Sequence, residues 1–178
     1  GVNEFKTANG RKVFDGGGVM PDVEIKLTKR TEATKKLIRS KAIFNFATNY
    51  FYNNPQKVNV EKYKFEAKGF KDFINFLKLD TTFVTAQEKL FKQAYLVSKN
   101  KNITKEYKKI QEKLLEDKVK EISKNKEIIS DLLKDEILKK YYYKEEVYKH
   151  HLKNDKTIFL AVNLLKNQAQ YKQILSGK

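Results

Sequence analysis

Apolar residues keep two different rhythms along this chain. Up to Leu27 they fall in short extended runs, and from Thr28 onward they recur every three or four positions. Residues 2–8 and 11–15 read as two strands around Asn9-Gly10. Asn-Gly between strand-like runs signals a two-residue hairpin turn, because both central residues must take positive φ. That register sets Ala8 against Arg11 and Phe5 against Phe14, with both rings on one face. Gly16, Gly17 and Gly18 then permit a sharp backbone excursion. Val19–Leu27 resumes an extended run, with Pro21 near its start, where the missing N–H does least harm.

The helical part begins with Thr31 as cap and Glu32 in the first turn. Leu37, Ile38, Phe44, Ala47, Tyr50 and Phe51 continue at helical spacing to about Tyr52, where "YNNPQKVN" is a stop signal. Phe70, Phe73, Ile74 and Leu77 form the stripe of a second helix. Thr85 and Glu88 make a capping box for a third, with Leu90, Phe91, Ala94 and Val97 expected inward. Ile103, Tyr107, Ile110, Leu114, Val119 and Ile122 mark a long fourth helix. Ile129, Leu132, Leu133 and Ile137 mark a fifth that runs on into "KKYYYKEEVYKHHL", and these two suggest an antiparallel hairpin. Asp155 caps a sixth, with Ile158, Ala161, Val162 and Leu165 expected to be buried, and a last turn holds Tyr171, Ile174 and Leu175. The expected fold is therefore mainly α: a multi-helix domain over residues 28–178, preceded by a hairpin and strand over residues 1–27. A hairpin plus one strand cannot bury its own face, so those strands either pack on the helices or are remnants of a larger sheet, and composition does not decide between the two.

Composition sharpens this picture only in places. The 178 residues include no Cys, which excludes disulfides, thiolate metal sites and a cysteine nucleophile. No apolar run is long enough to span a bilayer as a helix. The formal charge of +16 invites a nucleic-acid partner. Yet the cations are almost all Lys, with only Arg11, Arg30 and Arg39 able to form a bidentate fork, and they are interleaved with acids as on solvated helix faces. A basic module for nucleic acid or another anionic surface is thus the alternative reading rather than the first.

The stretch "FKTANGRKVFDGGGVMPDVEI" resembles the last strands of the catalytic core in carboxyl-terminal processing peptidases, also called tail-specific proteases. The matching residues are Asn9-Gly10-Arg11, Gly17-Gly18-Val19 and Pro21-Asp22-Val23. "EILKKYYY", "LKNDKTIFLAVNLL" and "YKQIL" resemble the helical tail of one bacterial branch of that family. The resemblance implies a parent serine endopeptidase of the bacterial envelope or periplasm. In such an enzyme a serine attacks the peptide carbonyl, a neutral lysine acts as base and a PDZ domain binds substrate tails. It also implies protein substrates, and an adaptor or a homo-oligomer as partner. The family's Gly-x-Ser-Ala-Ser turn and its lysine have no match here, so no catalytic residue carries over. The chain by itself is expected to be inactive and to serve as scaffold, oligomerisation element or adaptor contact.

Other chemistry is weakly signalled. Ser40-Lys41, Ser98-Lys99 and Ser123-Lys124 are sequence neighbours, which on a helix point apart. Asp15-Gly-Gly-Gly18 leads into an extended run, not into the helix that a phosphate loop opens. His150-His151 lacks further ligands at metal spacing. Neither a cofactor nor a metal is expected. The residues singled out are the turn positions Asn9, Gly10, Arg11, Gly16, Gly17, Gly18, Pro21 and Asp22. The candidate partner contacts are Phe5, Phe14 and the run Tyr141, Tyr142 and Tyr143.

Overall fold

A computed structural model describes residues 3–16, 21–25, 28–98 and 103–176. The chain forms two compact units. Residues 28–147 make one, and residues 1–27 together with 148–178 make the other.

The larger unit contains α1 (Glu32–Arg39), α2 (Ala42–Asn53), α3 (Ala67–Leu79), α4 (Ala86–Ser98), α5 (Thr104–Ser123), α6 (Lys126–Tyr141) and the start of α7 (Lys144–Asn154). Its core joins Leu37, Phe46, Phe73, Leu77, Phe83, Ile122, Ile129 and Leu133. Phe46 meets Phe73 edge-on at 5.1 Å and Phe76 at 5.5 Å, arrangements that suit the ring quadrupole. Ala42 and Ala47 are fully buried and leave α2 with little bulk at those points. The most extensive helix pairing is α2 along α6, whereas α5 meets α6 over a much shorter length. The hairpin expected of the fourth and fifth helices is thus replaced by a pairing distant in sequence.

Three helix caps agree with the sequence reading. Thr31 Oγ1 accepts from the Thr34 amide at 3.1 Å. Thr85 Oγ1 accepts from the Glu88 amide while the Glu88 carboxylate accepts from the Thr85 amide, at 3.2 and 2.7 Å. Asp155 accepts from the Thr157 and Ile158 amides. Each cap satisfies amides that the first helical turn leaves without partners.

Four expectations are corrected. The first helix breaks at Ser40, which is extended. Its hydroxyl donates to the Leu37 carbonyl at 2.7 Å and accepts from the Ala42 amide at 3.2 Å, so a side chain replaces the helical ladder locally. The fifth helix ends at Tyr141, because Tyr142 is extended, and α7 starts anew at Lys144. Together with α8 (Lys156–Lys166) and α9 (Gln168–Ser176), nine α-helices occur among the described residues rather than six. Leu90, Ala94 and Val97 of α4 face solvent. That helix is held instead by an aromatic stack, in which Tyr107 lies 5.4 Å from Phe91 and 3.9 Å from Tyr95. Finally, Ala161, Val162 and Leu165 of α8 are exposed and Ile158 is only half-buried.

The smaller unit holds β1 (Glu4–Lys6), β2 (Lys12–Phe14), the later part of α7, and α8 and α9. The strands pair antiparallel, with Glu4 opposite Phe14, Phe5 opposite Val13 and Lys6 opposite Lys12. This is one residue away from the expected register. The loop is Ala8-Asn9-Gly10: the Thr7 amide donates to Arg11 O at 2.9 Å and the Gly10 amide to Thr7 O at 2.8 Å. Gly10 takes a left-handed bend, at φ 80°, which suits a three-residue hairpin loop. A one-residue slip moves side chains to the opposite face, so Phe5 and Phe14 lie on different sides. Among the described residues of the expected third strand, Pro21–Ile25, none is paired in a sheet.

Candidate functional site

The turn residues of the opening stretch are brought together by charge. The Arg11 guanidinium donates to the Asp22 carboxylate, and so ties the Asn-Gly-Arg turn to the Pro-Asp step. Behind it, the Asn3 amide and side chain donate to Asp15 at 2.8 and 3.1 Å. Those bonds, the backbone one foremost, hold the Asp15 carboxyl below its ordinary range. Gly16 takes φ 90°, while Gly17 and Gly18 lie outside the described residues. Phe5 and Phe14 are both exposed.

The serine–lysine neighbours are not arranged for nucleophilic catalysis, which needs the base within reach of the hydroxyl. The hydroxyls of Ser40, Ser98 and Ser123 donate to the carbonyls of Leu37, Tyr95 and Val119, at 2.7, 2.7 and 2.8 Å. Lys41 is exposed, Lys124 pairs with Glu121, and Lys99 lies outside the described residues. Among the described residues no group of three His, Cys, Asp or Glu side chains could hold a metal ion. His150 and His151 diverge, with their rings 6.3 Å apart and steeply tilted.

The tyrosine run divides its labour. Tyr141 packs edge-on against Phe51 at 4.9 Å, and its hydroxyl donates to the Asn54 carbonyl. The Tyr142 hydroxyl donates to the Val58 carbonyl, and Lys57 Nζ lies 4.2 Å over its ring. Two hydroxyls from the end of α6 thus pin the irregular segment between α2 and α3. Tyr143 is 82% exposed. The pinned segment borders an open groove of about 670 Å³ between Tyr50, Asn54, Tyr63, Phe65, Lys62 and Asp72. Burial, and then the hydrogen bond to Tyr50, push the Tyr63 hydroxyl well above the usual phenol range, so it stays protonated. Gly69 seats the Phe65 ring, since a Cβ there would come within 2.9 Å of it.

One feature escaped the sequence reading. Lys118 is buried, with its ammonium 2.7 Å from Glu88 Oε1 and 3.2 Å from the Phe83 carbonyl. Its position on the Leu114–Lys118–Ile122 stripe of α5 was the available signal, because residues four apart share a helix face. The pair borders a second groove, of about 440 Å³, that reaches Asp80 and Tyr107. All these arrangements can bind and brace, and none of them supplies a nucleophile beside a base.

Residues 33–165 match the family model described as "Probable PDZ-protease, C-terminal helical domain". The chain belongs to this family. The PDZ-protease C-terminal helical domain thus extends from α1 almost to the end of α8. It includes the pinned segment and the Lys118–Glu88 pair, and the hairpin falls outside the matched span. No curated protein and no solved structure matches the chain. Within this PDZ-protease domain, no helix among the described residues is long and apolar enough to cross a membrane.

Proposed function

We propose that this chain is the non-catalytic C-terminal portion of an envelope serine endopeptidase of the carboxyl-terminal processing type, and that it acts as a brace and docking element. The match of residues 33–165 to the PDZ-protease C-terminal helical domain carries the reading. The occupied hydroxyls of Ser40, Ser98 and Ser123 support a role without catalysis. On this reading the Ser-Lys dyad and the PDZ domain belong to other parts of the parent enzyme, protein substrates reach it through them, and the parent works in the periplasm or cell envelope. The exposed Tyr143, Phe5 and Phe14 are the candidate contacts for an adaptor or a second copy. Incubation with an unstructured protein and with a serine-reactive phosphonate tests the proposal. No cleavage and no labelling are expected, and stoichiometric labelling of any serine sinks it.

The charge of +16 keeps a second reading in view, a basic helical module for nucleic acid. Binding carried by phosphate contacts weakens steeply with salt. Docking through an aromatic and aliphatic patch does not.

A further inference from the structure

Helix α8 is apolar on nearly every side. Leu160, Ala161 and Leu164 line a groove of about 380 Å³ shared with Val23 and Ile25 of the same unit. Ile158, Phe159, Val162 and Leu165 fall elsewhere around the helix, by the 3.6-residue period. No residue of α8 is buried, and Phe159 and Leu165 remain 66% and 56% exposed. A helix that is apolar all round ordinarily lies inside something. The flanking charge says what. Between Tyr148 and Lys178 stand six lysines, no arginine and one acid, Asp155. Lys156 and Lys166 sit at the two ends of α8, both exposed, with no charged residue between them.

This charge pattern disfavours a second copy of the segment, because two such faces would bring lysines against lysines. It also differs from a protein-binding hot spot, which is rich in Arg and poor in Lys. Lysines flanking an exposed apolar helix do suit a bilayer surface. The side chains reach up to lipid phosphates as point charges while Phe and Leu enter the acyl boundary. We infer that α8, with the lysines around it, is an interfacial anchor that lays this unit on an anionic phospholipid surface without crossing it.

The test is sedimentation of the full chain with phosphatidylcholine vesicles, with or without about one-third phosphatidylglycerol. Binding is expected only with the anionic lipid, and should fade as salt rises. Phe159→Ser with Leu165→Ser should lower the partition at least about tenfold. Lys156→Gln with Lys166→Gln should lower it about tenfold and leave neutral vesicles unaffected. Both residue pairs are exposed, so an unchanged far-ultraviolet circular dichroism spectrum is expected. The chain has no Trp, so Phe159→Trp supplies a single reporter whose emission should shift to the blue on anionic vesicles. Equal binding to neutral vesicles, or no binding and no shift, overturns the inference. Loss of a solution dimer in the serine variant, without vesicle binding, overturns it in favour of self-association. Capture by an acidic protein with no vesicle binding overturns it in favour of a protein partner.

Discussion

The ammonium of Lys118 and the carboxylate of Glu88 meet at 2.7 Å with the lysine side chain 5% exposed, which joins α5 to the first turn of α4. Removing one partner leaves the other charge buried and unmatched, which is far more damaging than losing an exposed pair. Glu88→Ala should destabilise the larger unit by about 3 kcal/mol, read from urea denaturation. Glu88→Ala combined with Lys118→Met should recover much of that loss. Equal losses in the single and double variants would show that the pair is not coupled.

The same pair sets a pH dependence. Burial pushes the Glu88 carboxyl up, but bonds from Lys118 and the Thr85 amide outweigh it and hold the group below its ordinary 4.5. A depressed carboxyl adds stability above its unfolded pKa and loses it as pH falls through the folded one. Asp80 works in the same direction: burial pushes it up, but bonds from Thr82, Asn45 and the Phe83 amide hold it down. The urea midpoint should therefore fall from pH 5 downward, about as far as these two groups titrate. Glu88→Gln should flatten part of that slope and leave the Asp80 share.

Asn125 closes the start of α1 against the α5–α6 junction. Its carbonyl oxygen accepts from the Thr31 amide at 2.8 Å, and its amide donates to the Lys29 carbonyl at 3.0 Å. Asn125→Ala strands both backbone groups and should lower stability by about 2–3 kcal/mol. Asn125→Asp keeps the acceptor but buries a carboxylate with one oxygen against the Lys29 carbonyl, so its loss in the same urea experiment should be at least as large.

Tyr142→Phe removes the hydroxyl that pins Val58 O and should release the segment between α2 and α3 by about 1 kcal/mol. Amide exchange should quicken there and not in α2 or α6. Tyr143→Phe should leave exchange unchanged. Faster exchange throughout the larger unit in Tyr142→Phe would mean that the contact is global rather than local.

Gly10→Val forces a β-branched residue to φ 80°, with no clash to blame because the space around Gly10 is open. The strain should cost about 1–2 kcal/mol and weaken the pairing of Phe5 with Val13, seen in their amide chemical shifts. Gly10→Asn should be tolerated better, since Asn adopts this conformation more readily.

Caps were legible in the sequence because they are local: Thr31, Thr85 with Glu88, and Asp155 reach only two or three residues along the chain. The stripe of Phe70, Phe73 and Leu77 was legible because its period matches its burial. The hairpin register was not, because Asn9-Gly10 suits a two-residue turn equally well and the choice lies with the Thr7 and Arg11 backbone bonds. Ser40 carried no Gly or Pro to announce a break. Lys118 was read as a solvated cation because its partner lies thirty positions away. At the site, Tyr141 to Tyr143 drew notice as a run, but which hydroxyl is used internally depends on where the segment after α2 passes.

The smaller unit is built from both ends of the chain, and that fixes an order in time. Val23 and Ile25 leave the ribosome before the groove they share with α8 can exist, because the whole of the larger unit is translated in between. At about 5–20 residues per second, several seconds separate the synthesis of the two sides of that groove. Contacts this far apart in sequence must close the whole intervening loop before they form, so the groove of Val23 and Ile25 with α8 should assemble after the local helix contacts of the larger unit.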